Sequence, residues 1–240
     1  MNWSKSAISM AVVFGLSACG GGGGGDTGGN GGDTEYEYQA YACDADIYEK
    51  AKELRIYQVM TEAFIDGDSN HDYNDGYGTS HHKGDLQGII DSLDYIQGLG
   101  MNAVWMTPIF DSEGDSKLDA TGYFTRNYFA IDPNFGTIEQ ARTLVNEAHA
   151  RGMYVIFDGV FGHHKGNVTP SPNGLTPSGS DNPVSYPGTD NDTLEFYKEV
   201  ASYWVTELGI DGWRLDQAYQ VPVGAWGEIR KAVEDASKAK

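Results

Sequence analysis

Residues 137–158 read TIEQARTLVNEAHARGMYVIFD, and this run decides how the chain folds. Thr137 followed three residues later by Gln140 is a capping-box start. Ile138, Ala141, Leu144, Val145 and Ala148 recur at helical spacing and share one face, and Gly152 stops the helix. Tyr154-Val155-Ile156-Phe157 is then a short apolar strand that ends on Asp158. A capped amphipathic helix that leads into a buried strand is half of a βαβ unit.

The pattern repeats in both directions. Upstream, Ile56 to Met60 is a strand. Asp85 to Leu99 is a helix, with Leu86, Ile89, Ile90, Leu93 and Ile96 on one face. Asn102 to Met106 is a second strand, stopped by Pro108. Downstream, Asp192 to Leu208 is a helix with Leu194, Tyr197, Ala201, Trp204 and Leu208 as its stripe. Gly212 to Leu215 is a strand, and a helix runs from Val223 to about Ala236. Strands separated by helices make a parallel sheet with right-handed crossovers. Two architectures fit: a doubly wound sheet or a (β/α)8 barrel. No Gly-x-Gly-x-x-Gly follows the first strand, which weighs against a dinucleotide fold. The polar residues gather after strand ends, at Asp66–Asp75, Asp111–Tyr128, Asp158–His164 and Asp216, where a barrel places its site. The long Gly159–Asn191 stretch, rich in Pro, Gly, Ser and Asn, reads as a small excursion over that site. A barrel needs eight βα units and only the first four are read here. Half a barrel would leave parallel edges bare, so the sequence is expected to be the N-terminal part of a longer protein.

The chain of 240 residues carries 16 Lys+Arg against 35 Asp+Glu, a formal charge of −19. No basic face is available for nucleic acid. Hydrophobic residues at 40% suffice for a core. Residues 1–18 read as a secretory signal: Lys5, then a short apolar run from Ala7 to Leu16. Leu16-Ser17-Ala18-Cys19 resembles a bacterial lipobox, with Cys19 as the lipidated N-terminus. The alternative is an ordinary cleavable signal and a soluble secreted protein. Residues 19–35 form a Gly-rich linker, and 36–240 hold the folded part. Cys43 is then a free thiol, or the partner of Cys19 if that residue is not lipidated.

Three constellations carry chemistry. Asp158 with His163 can place a carboxylate and an imidazole in one pocket, or merely cap a turn. Arg214 and Asp216 lie two apart on a strand and share a face. Buried together, the guanidinium would keep the carboxylate ionised, as a glycosyl nucleophile requires; a structural ion pair is the other reading. Tyr123 and Phe124, with Asn127 and Tyr128, offer aromatic platforms for sugar rings, or ordinary loop packing. Asp66, Asp68, Asn70 and Asp72 alternate oxygen ligands as calcium loops do, although the Gly and Glu of an EF-hand are missing. A solvated acidic loop is the alternative. His81, His82 and His164 have no zinc spacing.

From about Leu54 to Lys240 the chain resembles the N-terminal half of the catalytic domain of the α-amylase family, glycoside hydrolase family 13. Six stretches carry the resemblance in order: Tyr57-Gln58-Val59, Gly84 to Ile89, Gly100 to Pro108, Gly122-Tyr123, Asp158 to His163, and Gly212 to Asp216. The resemblance implies a (β/α)8 barrel and a retaining hydrolase of α-glucosidic bonds in starch or maltodextrins. A transglycosylase and a non-catalytic glucan binder are its alternatives. It implies Asp216 as nucleophile, Arg214 orienting it, His163 on the sugar hydroxyls, Tyr123 beneath the sugar and Asp158 organising the site. Its general acid, a Glu after strand five, and its third carboxylate, an Asp after strand seven, lie at positions this sequence does not include. The acid and nucleophile would stand about 5–5.5 Å apart. Three departures stand out. Gly162 replaces an Asn that commonly ligates a structural calcium, Tyr219-Gln220 replaces a Lys-His pair, and Thr121 replaces a His.

Overall fold

The computed structural model describes residues 49–179, 181–186 and 192–239. The proposed signal segment, Cys19, the Gly-rich linker and Cys43 lie outside them.

Four parallel strands form the main sheet in the order β1 (Ile56–Val59), β2 (Ala103–Met106), β5 (Tyr154–Gly159) and β6 (Gly212–Leu215). Neighbours in sequence are neighbours in space, as in a barrel wall rather than a doubly wound sheet. Between them lie α1 (Leu86–Asp91), α2 (Leu93–Gly98), α3 (Ile138–Ala150) and α4 (Asp192–Glu207), and α5 (Val223–Lys238) follows β6. Ladder register places Asp158 opposite Arg214, and Trp105 opposite Gln58 on one side and Ile156 on the other. Since alternate residues share a face, Trp105, Asp158 and Arg214 all fall on the inner side.

The capping box is formed: Thr137 accepts from the Gln140 backbone while Gln140 reaches back to the Thr137 N–H. The apolar stripes face inward as their periods require. Leu86, Ile89, Leu93 and Ile96 are buried, as are Leu144, Val145, Tyr197 and Trp204. Trp204 stacks on Phe110 at 5.3 Å between ring centres and donates its N–H to the Tyr128 carbonyl.

The structure corrects the reading in three places. The first helix is not continuous to Leu99 but breaks at Ser92. The Ser92 hydroxyl donates to the Gly88 carbonyl, and its own N–H turns to Ile89, so the regular ladder is interrupted there. The third strand of the main sheet runs to Gly159, past the apolar run, so Asp158 sits inside the ladder and Gly159 belongs to the strand rather than to the excursion. The stretch from Asp111 to Tyr128 is not all loop. β3 (Phe110–Asp111) and β4 (Asn127–Ile131) pair antiparallel beside the main sheet.

The excursion folds back onto this hairpin. Lys165 and Thr169 donate backbone N–H groups to Thr125 and Arg126, and Val184 donates to Gly162. Among the described residues no helix is long and apolar enough to cross a membrane.

Candidate active site

Arg214 is the centre of the site. Its Nη1 lies 3.0 Å from each oxygen of Asp158 and 2.7 Å from Asp216 Oδ1. The register of β5 and β6 sets the first contact, and the two-residue strand period sets the second. The Asp216 N–H donates to the Gly159 carbonyl, and Gln217 then turns in a left-handed conformation (φ 41°). Such a turn costs a non-glycine residue about 1–2 kcal/mol. It points the chain away from the strand, with Asp216 left at its mouth.

Asp158 is buried, its side chain fully covered. Burial pushes its carboxyl up to about 6, against the pull of the Arg214 charge and hydrogen bonds. Its Oδ2 also accepts from Tyr123 Oη at 3.1 Å and from Trp105 Nε1 at 3.1 Å. Burial, and then the Asp158 charge, raise the Tyr123 phenol far above its ordinary value, so it stays a donor.

His163 is buried, with Nε2 3.1 Å from the Tyr123 carbonyl and Nδ1 3.2 Å from the Gln220 side-chain oxygen.

Two of the family departures fit together here. A Cβ at Gly162 would stand 2.7 Å from Gln220 Cβ. Gln220 therefore occupies the space that a side chain at 162 would fill, and reaches His163 from it. Thr121 donates its hydroxyl to the Leu118 carbonyl.

Gly122 puts Tyr123 in place. It has φ +80°, and a Cβ there would lie 2.0 Å from the Pro108 carbonyl oxygen. The preceding turn is fixed by buried Asp119, which accepts from Lys165 Nζ at 2.7 Å.

A cavity of about 620 Å³ opens over these groups. Tyr123, Phe124, His163, Asp216 and Gln217 line one side, and Thr107 and Glu62 the other. Five residues singled out from sequence thus converge: Asp158, His163, Arg214, Asp216 and Tyr123. Tyr128 does not join them. It is fully buried and its hydroxyl donates to the Val160 and His163 carbonyls, the packing role. Sequence reasoning singled out Gln220 only as a departure from the family and missed Trp105, the Asp119–Lys165 pair and Glu62, which lines the cavity and pairs with His81. For Trp105 the local sequence holds no signal, because only the register between β2 and β5 puts it on the face of Asp158.

The acidic loop is also rearranged relative to the reading. Asp66 and Asp72 come together with Asp85, one oxygen of each within 4.8 Å of the others. Asp68 and Asn70 do not join them. Asp68 Oδ1 accepts from the Asn70 N–H and side-chain amide, and Oδ2 accepts from Gln140. Asp85 caps α1 through Gly88 and holds the loop through the N–H groups of Gly67 and Asp68. Burial raises its carboxyl, and the Asp66 charge adds to that against these bonds. Asp72 Oδ1 is buried with no partner. Three converging carboxylates, one with an unpartnered oxygen, suit a hard cation such as calcium. Gly162 offers no side-chain ligand for the calcium that the family resemblance would place there.

Residues 58–171 match the family model described as the α-amylase catalytic domain. The chain is 34% identical over 216 residues to an intracellular maltogenic amylase of Bacillus subtilis (strain 168), covering 74% of this chain and 35% of that protein. It is 36% identical over 228 residues to neopullulanase 2 of Thermoactinomyces vulgaris, covering 78% and 37%. Among solved structures it is similar to AmyP in complex with maltose, at TM-score 0.79 and 62% identity, covering 83% of this chain and 41% of that one. The chain spans under half the length of these proteins.

Replacing Gly122 by Ala forces a left-handed Cβ against Pro108. It is expected to cost about 2–4 kcal/mol in denaturant unfolding of the full-length protein. An unchanged midpoint would show that the turn does not need glycine.

Proposed function

We propose, for a chain that carries catalytic-domain sequence of the α-amylase family, that the protein is a retaining glycoside hydrolase of α-glucosidic bonds in starch or maltodextrin-type glucans. Asp216 attacks the anomeric carbon, a Glu elsewhere in the protein protonates the departing oxygen, and water then releases the sugar. Arg214 orients Asp216, and Asp158 anchors Arg214. His163 forms part of the cavity wall beside the sugar, releasing Gln220 or Tyr123 where it bonds a hydroxyl, and Tyr123 lies beneath the ring. The observation that carries the reading is the contact of one guanidinium nitrogen with both buried Asp158 and Asp216, the latter lining a sugar-sized cavity. A bare carboxylate held by a cation, with aromatic rings beside it, is what formation of a covalent glycosyl intermediate demands.

The protein works at the bacterial cell envelope, held there by the signal and lipid attachment at Cys19. The motif Leu16-Ser17-Ala18-Cys19 and the Gly-rich tether support this placement. Asp66, Asp72 and Asp85 hold a calcium ion that fixes the loop after β1. The ion is structural, and no step of the reaction passes through it.

Asp216→Asn in the full-length protein should lower turnover of a maltooligosaccharide by more than about a thousandfold while leaving its circular dichroism spectrum unchanged. Retained turnover would refute the nucleophile. Transfer of the glycosyl group to a second sugar, in place of release to water, would identify a transglycosylase in the same assay.

Calcium at a hundred times its dissociation constant should stabilise the protein by about 2.7 kcal/mol, and Asp72→Asn should remove that gain. A melting temperature indifferent to calcium and chelator would remove the site.

A further inference from the structure

In sequence Trp105 is one residue of the short apolar strand from Asn102 to Met106. In the structure its indole Nε1–H donates to Asp158 Oδ2 at 3.1 Å. The guanidinium carbon of Arg214 stands 5.0 Å from the centre of its ring. Trp105 does not line the cavity that holds Asp216. It lines a smaller space beneath, together with Gln58, Ile156 and Arg214. It therefore touches both Asp158 and Arg214 and does not line the cavity that Asp216 faces.

We propose that Trp105 is a positioning residue for the nucleophile. Its N–H fixes one oxygen of Asp158 and its ring carries the Arg214 guanidinium, so that Arg214 meets Asp216 from a fixed plane. The proposal rests on the reading of Asp216 as nucleophile.

A guanidinium on a long flexible side chain must be held to act as a rigid donor, and an aromatic face attracts it. A carboxylate deprived of water needs donors to stay charged. The charged and titratable groups that face Asp158 are Arg214 and Asp216 at the end of β6, and Tyr123 from the turn before β4. Tyr123, Arg214 and Trp105 all bond to the same oxygen, Oδ2. Burial already raises Asp158 to about 6, so there is little margin. Loss of the indole donor moves it further up. A protonated Asp158 releases its hold on Arg214, and Arg214 then loses its register with Asp216.

The test uses the full-length protein with two replacements of Trp105. Phe keeps an aromatic ring and lacks the N–H. Benzothienylalanine keeps the bicyclic shape and substitutes sulfur for the N–H. Both should lower kcat on a maltooligosaccharide about tenfold, leave KM within about twofold, and shift the acid limb of the kcat profile up by about one pH unit. A fall in kcat with the acid limb unmoved, a rise in KM with kcat held, or wild-type behaviour would each overturn the proposal. Should the wild-type protein turn over no α-glucan, the glycosidase reading fails by itself. Titration of the Asp158 carboxyl by carbon-13 resonance then still decides the Trp105 contact. It must titrate at higher pH in both variants than in wild type, and an unmoved titration overturns it.

Discussion

A single guanidinium nitrogen, Arg214 Nη1, is shared between two carboxylates, and the rest of the site is arranged around that fact. Asp158 is sealed from water and can remain charged only beside a cation and several donors. Asp216 faces the cavity and takes the remaining side of the same nitrogen. Removing Arg214 would leave a buried carboxylate without its counter-charge, a loss of about 3–5 kcal/mol when one partner of a buried pair is deleted. Parallel pairing of β5 with β6 therefore does more than build a wall. It fixes the distance between Asp158 and the guanidinium, and the strand period fixes the distance from the guanidinium to Asp216.

Loops complete the arrangement by crossing over the sheet. Gly122 brings Tyr123 down onto Asp158, and Lys165 clamps the turn before it from the excursion after β5. Gln220 fills the space above Gly162 and reaches His163. That contact explains how a residue pair that departs from the family pattern can still seat the imidazole. An Asn at 162 with Gln220 unmoved would collide, so the two positions are read best as one substitution.

Much of this was legible in the sequence because it depends on period and punctuation. Arg214 and Asp216 share a face by the alternation of a strand, and Thr137 with Gln140 announces a helix start that the structure contains. The apolar stripe of α4 is buried as its spacing requires. Other features turn on contacts that no local pattern records. β3 is only two residues long, and β4 is apolar on both faces from Tyr128 to Ile131, so neither shows the alternation that marks a strand. The break at Ser92 depends on one hydroxyl choosing a carbonyl within its own helix. Asp85 joins Asp66 and Asp72 only through the return of the chain at the start of α1, and this is why a reading of consecutive oxygen ligands chose Asp68 and Asn70 instead. Trp105 looked like any strand aromatic until its N–H had a partner.

The central claim is that Asp216 forms the bond to the sugar. It is tested most directly by trapping the intermediate on the full-length protein with a fluorinated glucosyl fluoride and locating the label by peptide mass spectrometry. The account requires the glucosyl mass on the peptide that contains Asp216, on that carboxylate. A label on any other residue, or turnover with no covalent species formed, would contradict it.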